Sequence, residues 1–201
     1  MKVAAILIAA GLSSRMGGPN KLLQPIGTAT LIEHTFAQLI QAKVDEVVVV
    51  TGRDHEEVTE LIKRSHTTKT RLVHNADFEK GMTGSIQKGL GALANADALM
   101  VCLSDMPELR AQNYNELIHL FKKEGSSEKI LAPYKKDIKG NPVIFGSDYF
   151  GQIKEHKEAN GCSAIIKSHK NHILRLDTSS EAYFFDIDTP EALKNYQARA
   201  K

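Results

Sequence analysis

Cysteine is scarce in this chain: Cys102 and Cys162 are the only two in 201 residues. That is too few for the disulfide framework by which small secreted domains replace a large core. Neither sits in a CxxC pair or at a zinc-ligand spacing from histidines, which excludes a structural zinc module, and both are expected as free thiols in a reducing compartment. His169 and His172 have no third ligand nearby and are read as part of a solvated loop. An excess of one charge is also lacking. The net charge is +2, which sets aside nucleic acid and an anionic membrane as main partners, so any anion site must be a local cluster. No run approaches the roughly 20 apolar residues of a membrane helix. The apolar stretch after Lys2 is short and lacks a cleavage site, so it reads as a strand rather than a signal peptide, and a cytoplasmic protein is expected. Internal repeats, low-complexity runs and long linkers are absent. So are the two commonest phosphate-binding fingerprints, GxGxxG and GxxxxGK[ST].

What remains is an ordinary globular composition, 42% hydrophobic and 25% charged, long enough to bury about 70% of its unfolded surface as one domain over residues 1–201. Continuous apolar runs such as "VAAILIAA" and "DEVVVVTG" read as strands covered on both faces. Between them, "TLIEHTFAQLIQAK" places Leu31, Ile32, Phe36, Leu39 and Ile40 at helical spacing. "DHEEVTELIKR" opens with Asp54 as N-cap and closes on Lys63 and Arg64, complementing a helix dipole at both ends. "TRLVHN" reads as a short strand, and "SIQKGLGALANA" as a helix weakened by Gly89 and Gly91. "DALMVCLSDMP" is a third strong strand, and "QNYNELIHLFKKEG" a helix stopped by Gly125. "KILAPYKKDIKGNPVIFG" reads as two strands around a basic turn. Helical stretches then run through "SDYFGQIKEHKEA" and "CSAIIKSHK". "NHILRLD" and "AYFFDID" are late strands, and "TPEALKNYQARA" is a closing helix with Thr189 as N-cap and Pro190 at its first position. Alternating strands and helices predict an α/β fold with a mostly parallel sheet. Such sheets bind ligands beyond the carboxyl ends of their strands, which singles out the loops at Gly11, Gly81 and Ser104.

Five stretches carry candidate chemistry. "LIAAGLSSRMGGPNKLL" follows the first strand with Gly11, Gly17 and Gly18, whose backbone freedom suits an anion cradle, and adds Arg15 and Lys21. A guanidinium grips phosphate oxygens with a fork and an ammonium supplies a compact charge. "LSDMP" delivers Asp105 at a strand end, where a carboxylate can hold Mg²⁺ beside phosphates. "FDIDTPEAL" alternates Asp186 and Asp188, which would share one face of a strand. "EKGMTGSIQKGL" sets Gly81, Gly84 and Ser85 before a helix whose free N–H groups suit an anion or a base edge. "KGNPVIFG" begins at Lys139, which forms a basic patch with Lys135 and Lys136. Taken singly, each has a plain structural alternative: a solvated turn, a turn cap, a helix start or an exposed hairpin.

Together and in this order, the five resemble the MobA-like nucleotidyltransferases, most closely the molybdenum cofactor cytidylyltransferase branch. The opening loop is similar to the family's LAAGxSxRMG-x-NKLL, "LSDMP" to GDMP with Ser104 in place of glycine, "GMTGSIQKGL" to GMSxSLxxGL, "GNPVIF" to G-[HN]-P-V-[LI]-F, and "DIDTPEAL" to DIDTPEDL. The resemblance implies a three-layer Rossmann-like fold of the nucleotide-diphospho-sugar transferase kind. It also implies transfer of a nucleoside monophosphate from a triphosphate to a phosphate on an acceptor, releasing pyrophosphate. Carried over, Ala9, Ala10, Gly11, Ser13, Ser14, Arg15 and Lys21, with Gly81, Gly84 and Ser85, would bind the nucleotide. Arg15, Lys21 and Asp105 would be catalytic, and Asp105, Asp188 and Asp186 would hold Mg²⁺ or Mn²⁺. Ala10 implies CTP, with GTP as the alternative. The implied acceptor is molybdopterin, and a molybdenum enzyme or its chaperone a further partner. Asn160 stands where the family often has aspartate. A sugar-phosphate nucleotidyltransferase and a non-catalytic cofactor-binding protein stay open beside this reading.

Overall fold

A computed structural model describes residues 1–65 and 67–199. The strands are β1 (Val3–Ala9), β2 (Pro25–Ile26), β3 (Ala29–Thr30), β4 (Glu46–Thr51), β5 (Thr70–His74), β6 (Ala98–Leu103), β7 (Ile130–Lys135), β8 (Ile138–Lys139), β9 (Val143–Gly146) and β10 (Ile173–Asp177). The helices are α1 (Leu31–Gln41), α2 (His55–Lys63), α3 (Met82–Ala92), α4 (Ala111–Glu124), α5 (Tyr149–Glu155), α6 (Ser163–Ser168) and α7 (Pro190–Arg199). One eight-stranded sheet runs in the order β10-β7-β9-β6-β1-β4-β5, with β8 paired to β7. β1 lies parallel to β4 and β6, β4 to β5, and β7 to β10, while β9 runs antiparallel between β6 and β7.

Side-chain alternation on β1 divides the core into two layers. Val3, Ala5, Leu7 and Ala9 face a cluster completed by α1, α2 and α4; Ile6, Ile8 and Ala10 face one completed by α3, α5 and α6. With both faces covered, no polar residue is tolerated along the strand, which is why β1 reads as an unbroken apolar run. This is the three-layer α/β arrangement with helices on both faces. α1 begins with a capping box in which Thr30 and Glu33 exchange hydrogen bonds. β1 lies between β4, which follows it in the chain through α1, and β6, reached only after β4 and β5. The strand order therefore reverses beside β1, and the loop starting at Gly11 leaves the sheet at this switch point.

Four sequence expectations change. "AYFFDID" forms no strand: Glu181–Tyr183 is a single 3₁₀ turn, and the backbone beyond it pairs with loops instead of a sheet neighbour. Tyr183 O accepts from Asn141 N, and Ile187 N donates to Asp105 O at 2.9 Å. α3 starts at Met82, so Gly84 and Ser85 lie inside the helix rather than before it. Asp54 adopts a left-handed backbone (φ 53°) and makes no side-chain cap; its carboxylate pairs with Arg53 instead. The basic turn between two strands is a β7–β8 hairpin followed by β9. Thr189 does cap α7, accepting from Ala192 N; Ala200, at the end of the predicted closing helix, lies outside the described residues. Among those residues, no helix is long and apolar enough to cross a membrane.

Candidate active site

The loop after β1 is braced from within and from below. Asn20 is buried, and its side-chain oxygen accepts from Leu22 N at 3.0 Å and from Ser13 Oγ at 3.3 Å, while Nδ2 donates to Arg53 O. Arg53 in turn donates to Leu12 O at 2.8 Å and Gly18 O at 2.6 Å. The loop turns through Ser13 (φ 53°) and Gly17 (φ 69°); the second needs glycine's freedom, and the first is a left-handed serine held by those bonds. The loop is thereby prearranged, and Lys21, buried at its far end, is aimed back toward the sheet.

Opposite stand three carboxylates. Asp105 follows β6, and the Ile187 N–H to Asp105 carbonyl bond draws the Asp186–Asp188 segment alongside it. One oxygen from each of Asp105, Asp186 and Asp188 lies within 4.8 Å of the others. Lys21 Nζ reaches Asp105 Oδ2 at 2.5 Å and Asp188 Oδ1 at 2.6 Å, and Arg15 Nη2 reaches Asp188 Oδ2 at 2.6 Å. Two cations thus face three acids. Among the described residues, the buried Asp105 Oδ1 has no hydrogen-bond partner. An all-oxygen donor set with an orphaned carboxylate oxygen suits a hard divalent cation, and these three residues could coordinate one.

The charges act on one another. Burial pulls the Lys21 ammonium down, but Asp105 and Asp188 outweigh it and hold the lysine above its ordinary value. Burial raises Asp188, yet Lys21 and Arg15 win and leave it below the ordinary carboxylate range. For Asp186, burial, then Asp188 and Asp105, outweigh the opposing pull of Lys21 and push it upward. The sequence separates cations from carboxylates, as two sides of a clamp around phosphate. In this structure they are bonded to each other, because the switch point brings the loop and the β6 end together.

A cavity of about 290 Å³ lies over this cluster, lined by Gly11, Ser13, Ser14, Arg15, Lys21, Asp105, Asp186 and Asp188. Ala9 and Ala10 are buried in the two core layers and do not line it. Gly81, Gly84 and Ser85 do not line it either; Met82 is the residue of that stretch that does. Ser85 is buried and accepts from Asn75 Nδ2 at 2.9 Å. The "GMTGSIQ" stretch instead fastens residues 153–161. Gly81 has φ 113° and admits the Ala159 carbonyl where a side chain would collide; Met82 N donates to that carbonyl, and Gln87 Nε2 donates to the Ile153, Lys154 and His156 carbonyls. Ser104, the departure from glycine, is buried and its hydroxyl donates to Ile8 O at 2.7 Å, tying β6 to β1 beside Asp105. Sequence reading missed Asn20 and Arg53. Asn20 is an N-cap immediately before a short helical turn, a readable signal; nothing marks Arg53.

This combination of doubly covered sheet, switch-point loop and acid cluster places the chain among nucleotide-handling α/β proteins. Residues 5–173 match the MobA-like NTP transferase domain, and the chain belongs to that family. It is 27% identical over 195 residues to the purine catabolism protein PucB of Bacillus subtilis, covering 92% of this chain and 91% of that one. It is 30% identical over 152 residues to a probable molybdenum cofactor guanylyltransferase of Mycolicibacterium paratuberculosis (69% and 72%), and 21% identical over 189 residues to the molybdenum cofactor cytidylyltransferase of Escherichia coli (94% and 92%). The fold is that of a Methanothermobacter nucleotidyl transferase (TM-score 0.83, 20% identity, 99% and 97% covered) and of a Mycobacterium tuberculosis protein solved in complex with manganese (TM-score 0.75, 20% identity, 98% and 99% covered).

Proposed function

We propose that this protein transfers a nucleoside monophosphate, CMP from CTP, onto a phosphate of molybdopterin or its molybdenum-loaded form. The observation that carries the reading is the meeting of Arg15 and Lys21 with Asp105, Asp186 and Asp188 at the carboxyl ends of β1 and β6. Family membership supports nucleotidyl transfer as the reaction class, and the cytidylyl and guanylyl relatives support a molybdenum cofactor acceptor. CTP rests on Ala10 alone; its burial makes any selection of the base indirect.

In the reaction, an oxygen of the acceptor phosphate attacks the α-phosphorus, the α–β anhydride bond breaks and pyrophosphate leaves. A phosphate monoester is largely ionised near neutral pH, so no general base is needed. The work is positioning and charge neutralisation. The triphosphate competes with Asp105 and Asp188 for Lys21 and with Asp188 for Arg15, so its arrival redistributes an existing charge network. The freed carboxylates of Asp105 and Asp188, with Asp186, would hold Mg²⁺ or Mn²⁺, which supplies neutralisation of the triphosphate; the manganese complex of the mycobacterial relative supports such a site. Gly11, Ser13 and Ser14, which line the cavity, would contact the nucleotide.

The test is pyrophosphate release with each nucleoside triphosphate, Mg²⁺ and molybdopterin. Release with CTP, abolished in a folded Asp105→Ala variant, is expected. Near-normal release by that variant refutes the metal-holding role, and release with GTP alone reassigns the nucleotide.

A further inference from the structure

The groove does not end at the acid cluster. The cavity above Lys21 shares Met82 and Leu103 with a second, of about 150 Å³, against α3 and β9. The second shares Lys139, Ser163 and Ile166 with a third, of about 520 Å³, against α6 and β10. The lining changes along this path. Among the described residues the middle cavity is lined by no acid; apolar walls such as Val101 and Phe145 are joined by the amides of Asn141 and Asn160. The far cavity is basic: among the described residues that line it, Lys139, Lys167, Lys170 and Arg175 stand against Asp137.

Exposed lysines alone would mean little, but two of these cations are held in place. Lys139 is half-buried, lines both cavities, and donates to the Gly140 carbonyl at 3.1 Å. Among the described residues it has no carboxylate partner, and burial pushes its ammonium below the ordinary lysine value, with Cys162 partly opposing. A desolvated cation without a counter-charge is costly, and an arriving anion relieves that cost. Arg175 lies over the Tyr134 ring with its guanidinium carbon 4.1 Å from the centroid, while Asp177 engages Nε and Nη2. Stacking fixes the plane of its fork at little further entropic cost.

We propose that the far cavity seats a second anionic group of the acceptor, an oxyanion at the end remote from the phosphate that receives the nucleotide. The acceptor is then a molecule with two anionic ends, whose less polar body spans the middle cavity between Met82 and Lys139. This rests on the nucleotidyl-transfer reading and adds a substrate class to it.

The test has a binding arm and a turnover arm. Protein saturated with CTP and Mg²⁺, so that Arg15 and Lys21 are engaged, is titrated with inorganic phosphate and separately with acetate while backbone amides are followed by NMR. Saturable shifts at residues 137–140 and 167–175 are expected, with the better-bound probe telling phosphate from carboxylate. Lys139→Gln with Lys167→Gln should weaken that binding about tenfold, the loss of charge-assisted hydrogen bonds to one anion. The exposed Arg175→Gln is a second variant that leaves buried structure alone. Shifts confined to residues 11–21, or unaltered in the variants, overturn the proposal. With the molybdenum-loaded form of molybdopterin as acceptor, whose oxo-metal end adds an oxyanion to its phosphate, the double variant should raise the acceptor KM about tenfold while KM for CTP and kcat stay within about twofold. An unchanged acceptor KM overturns the assignment to the acceptor even where phosphate binds. If the unaltered protein releases no pyrophosphate with any triphosphate, it is the nucleotidyl-transfer reading that fails, and this is seen before any variant is made.

Discussion

The ammonium of Lys21 bridges Asp105 and Asp188, at 2.5 and 2.6 Å, across 84 and 167 residues of sequence. It is both a structural cross-link between the switch-point loop and the β6 end and the cation that the proposed triphosphate must capture. Lys21→Met separates these roles. Removing one partner of a fully buried ion pair costs about 3–5 kcal/mol, and the loss here should be smaller because solvent reaches Asp188. The urea midpoint should fall accordingly, and Mg²⁺ should recover part of the loss by neutralising the acids in the lysine's place. A midpoint that does not move, or an Mg²⁺ effect equal in parent and variant, contradicts the cross-link.

In turnover, the same variant should lose kcat by on the order of 10²–10³, the usual cost of removing a group that meets charge developing in the transition state. An effect confined to KM would make Lys21 a uniform binding contact instead.

Gly89 and Gly91 lie in the same helix and should respond to alanine with opposite signs. A Cβ on Gly91 meets nothing within 4 Å, so Gly91→Ala gains helix propensity, about 0.5–1 kcal/mol. A Cβ on Gly89 would lie 2.7 Å from Ile6 Cγ2 in β1. There overpacking, typically about 1–3 kcal/mol, outweighs the propensity gain, and Gly89→Ala should destabilise. Thermal midpoints of the two variants decide it; a rise in both would mean that α3 stands off the sheet.

His34 gives the fold a pH dependence below neutrality. Its Nε2 lies 3.0 Å from the Pro107 carbonyl and 3.0 Å from Arg110 Nη1. Burial lowers its pKa, the Pro107 carbonyl opposes this, and Arg110 adds to it, leaving the net direction downward. A depressed histidine contributes stability that is present above the unfolded value of about 6.5 and lost as pH falls through the folded value. Stability should therefore decline on acidification from pH 7, and the decline should be shallower in His34→Gln. Superimposable pH profiles would remove His34 as the cause.

Much of this was legible where the signal is local. Uninterrupted apolar runs announced strands covered on both faces, the helical spacing of Leu31, Ile32, Phe36, Leu39 and Ile40 announced α1, and an acid closing the β6 run announced Asp105. What depends on approach between distant segments was not. Gly89 reads as a flaw in a helix until Ile6 is seen against it. The alternation of Asp186 and Asp188 suggests a strand, but the sheet edge is taken by β10, and the acids are brought together by the backbone bond from Ile187 to Asp105 and by Lys21. The glycine-rich loop suggests flexibility, whereas Asn20 and Arg53 hold it through three of its carbonyl and hydroxyl groups.

Ser104 is the departure from the family motif with the clearest consequence. Its buried hydroxyl donates to the Ile8 carbonyl at 2.7 Å, one residue before Asp105. Ser104→Ala removes that bond and leaves the carbonyl short of a partner, costing about 1–2 kcal/mol. Ser104→Gly, which restores the family's residue, loses the same bond and adds backbone entropy to the unfolded chain, about 0.5–1 kcal/mol more. Stability should fall in the order Ser, Ala, Gly. If the hydroxyl also fixes Asp105 against Lys21, both variants should lower kcat, with Gly the lower. A glycine variant more stable than alanine would show that this backbone needs freedom, not an anchor.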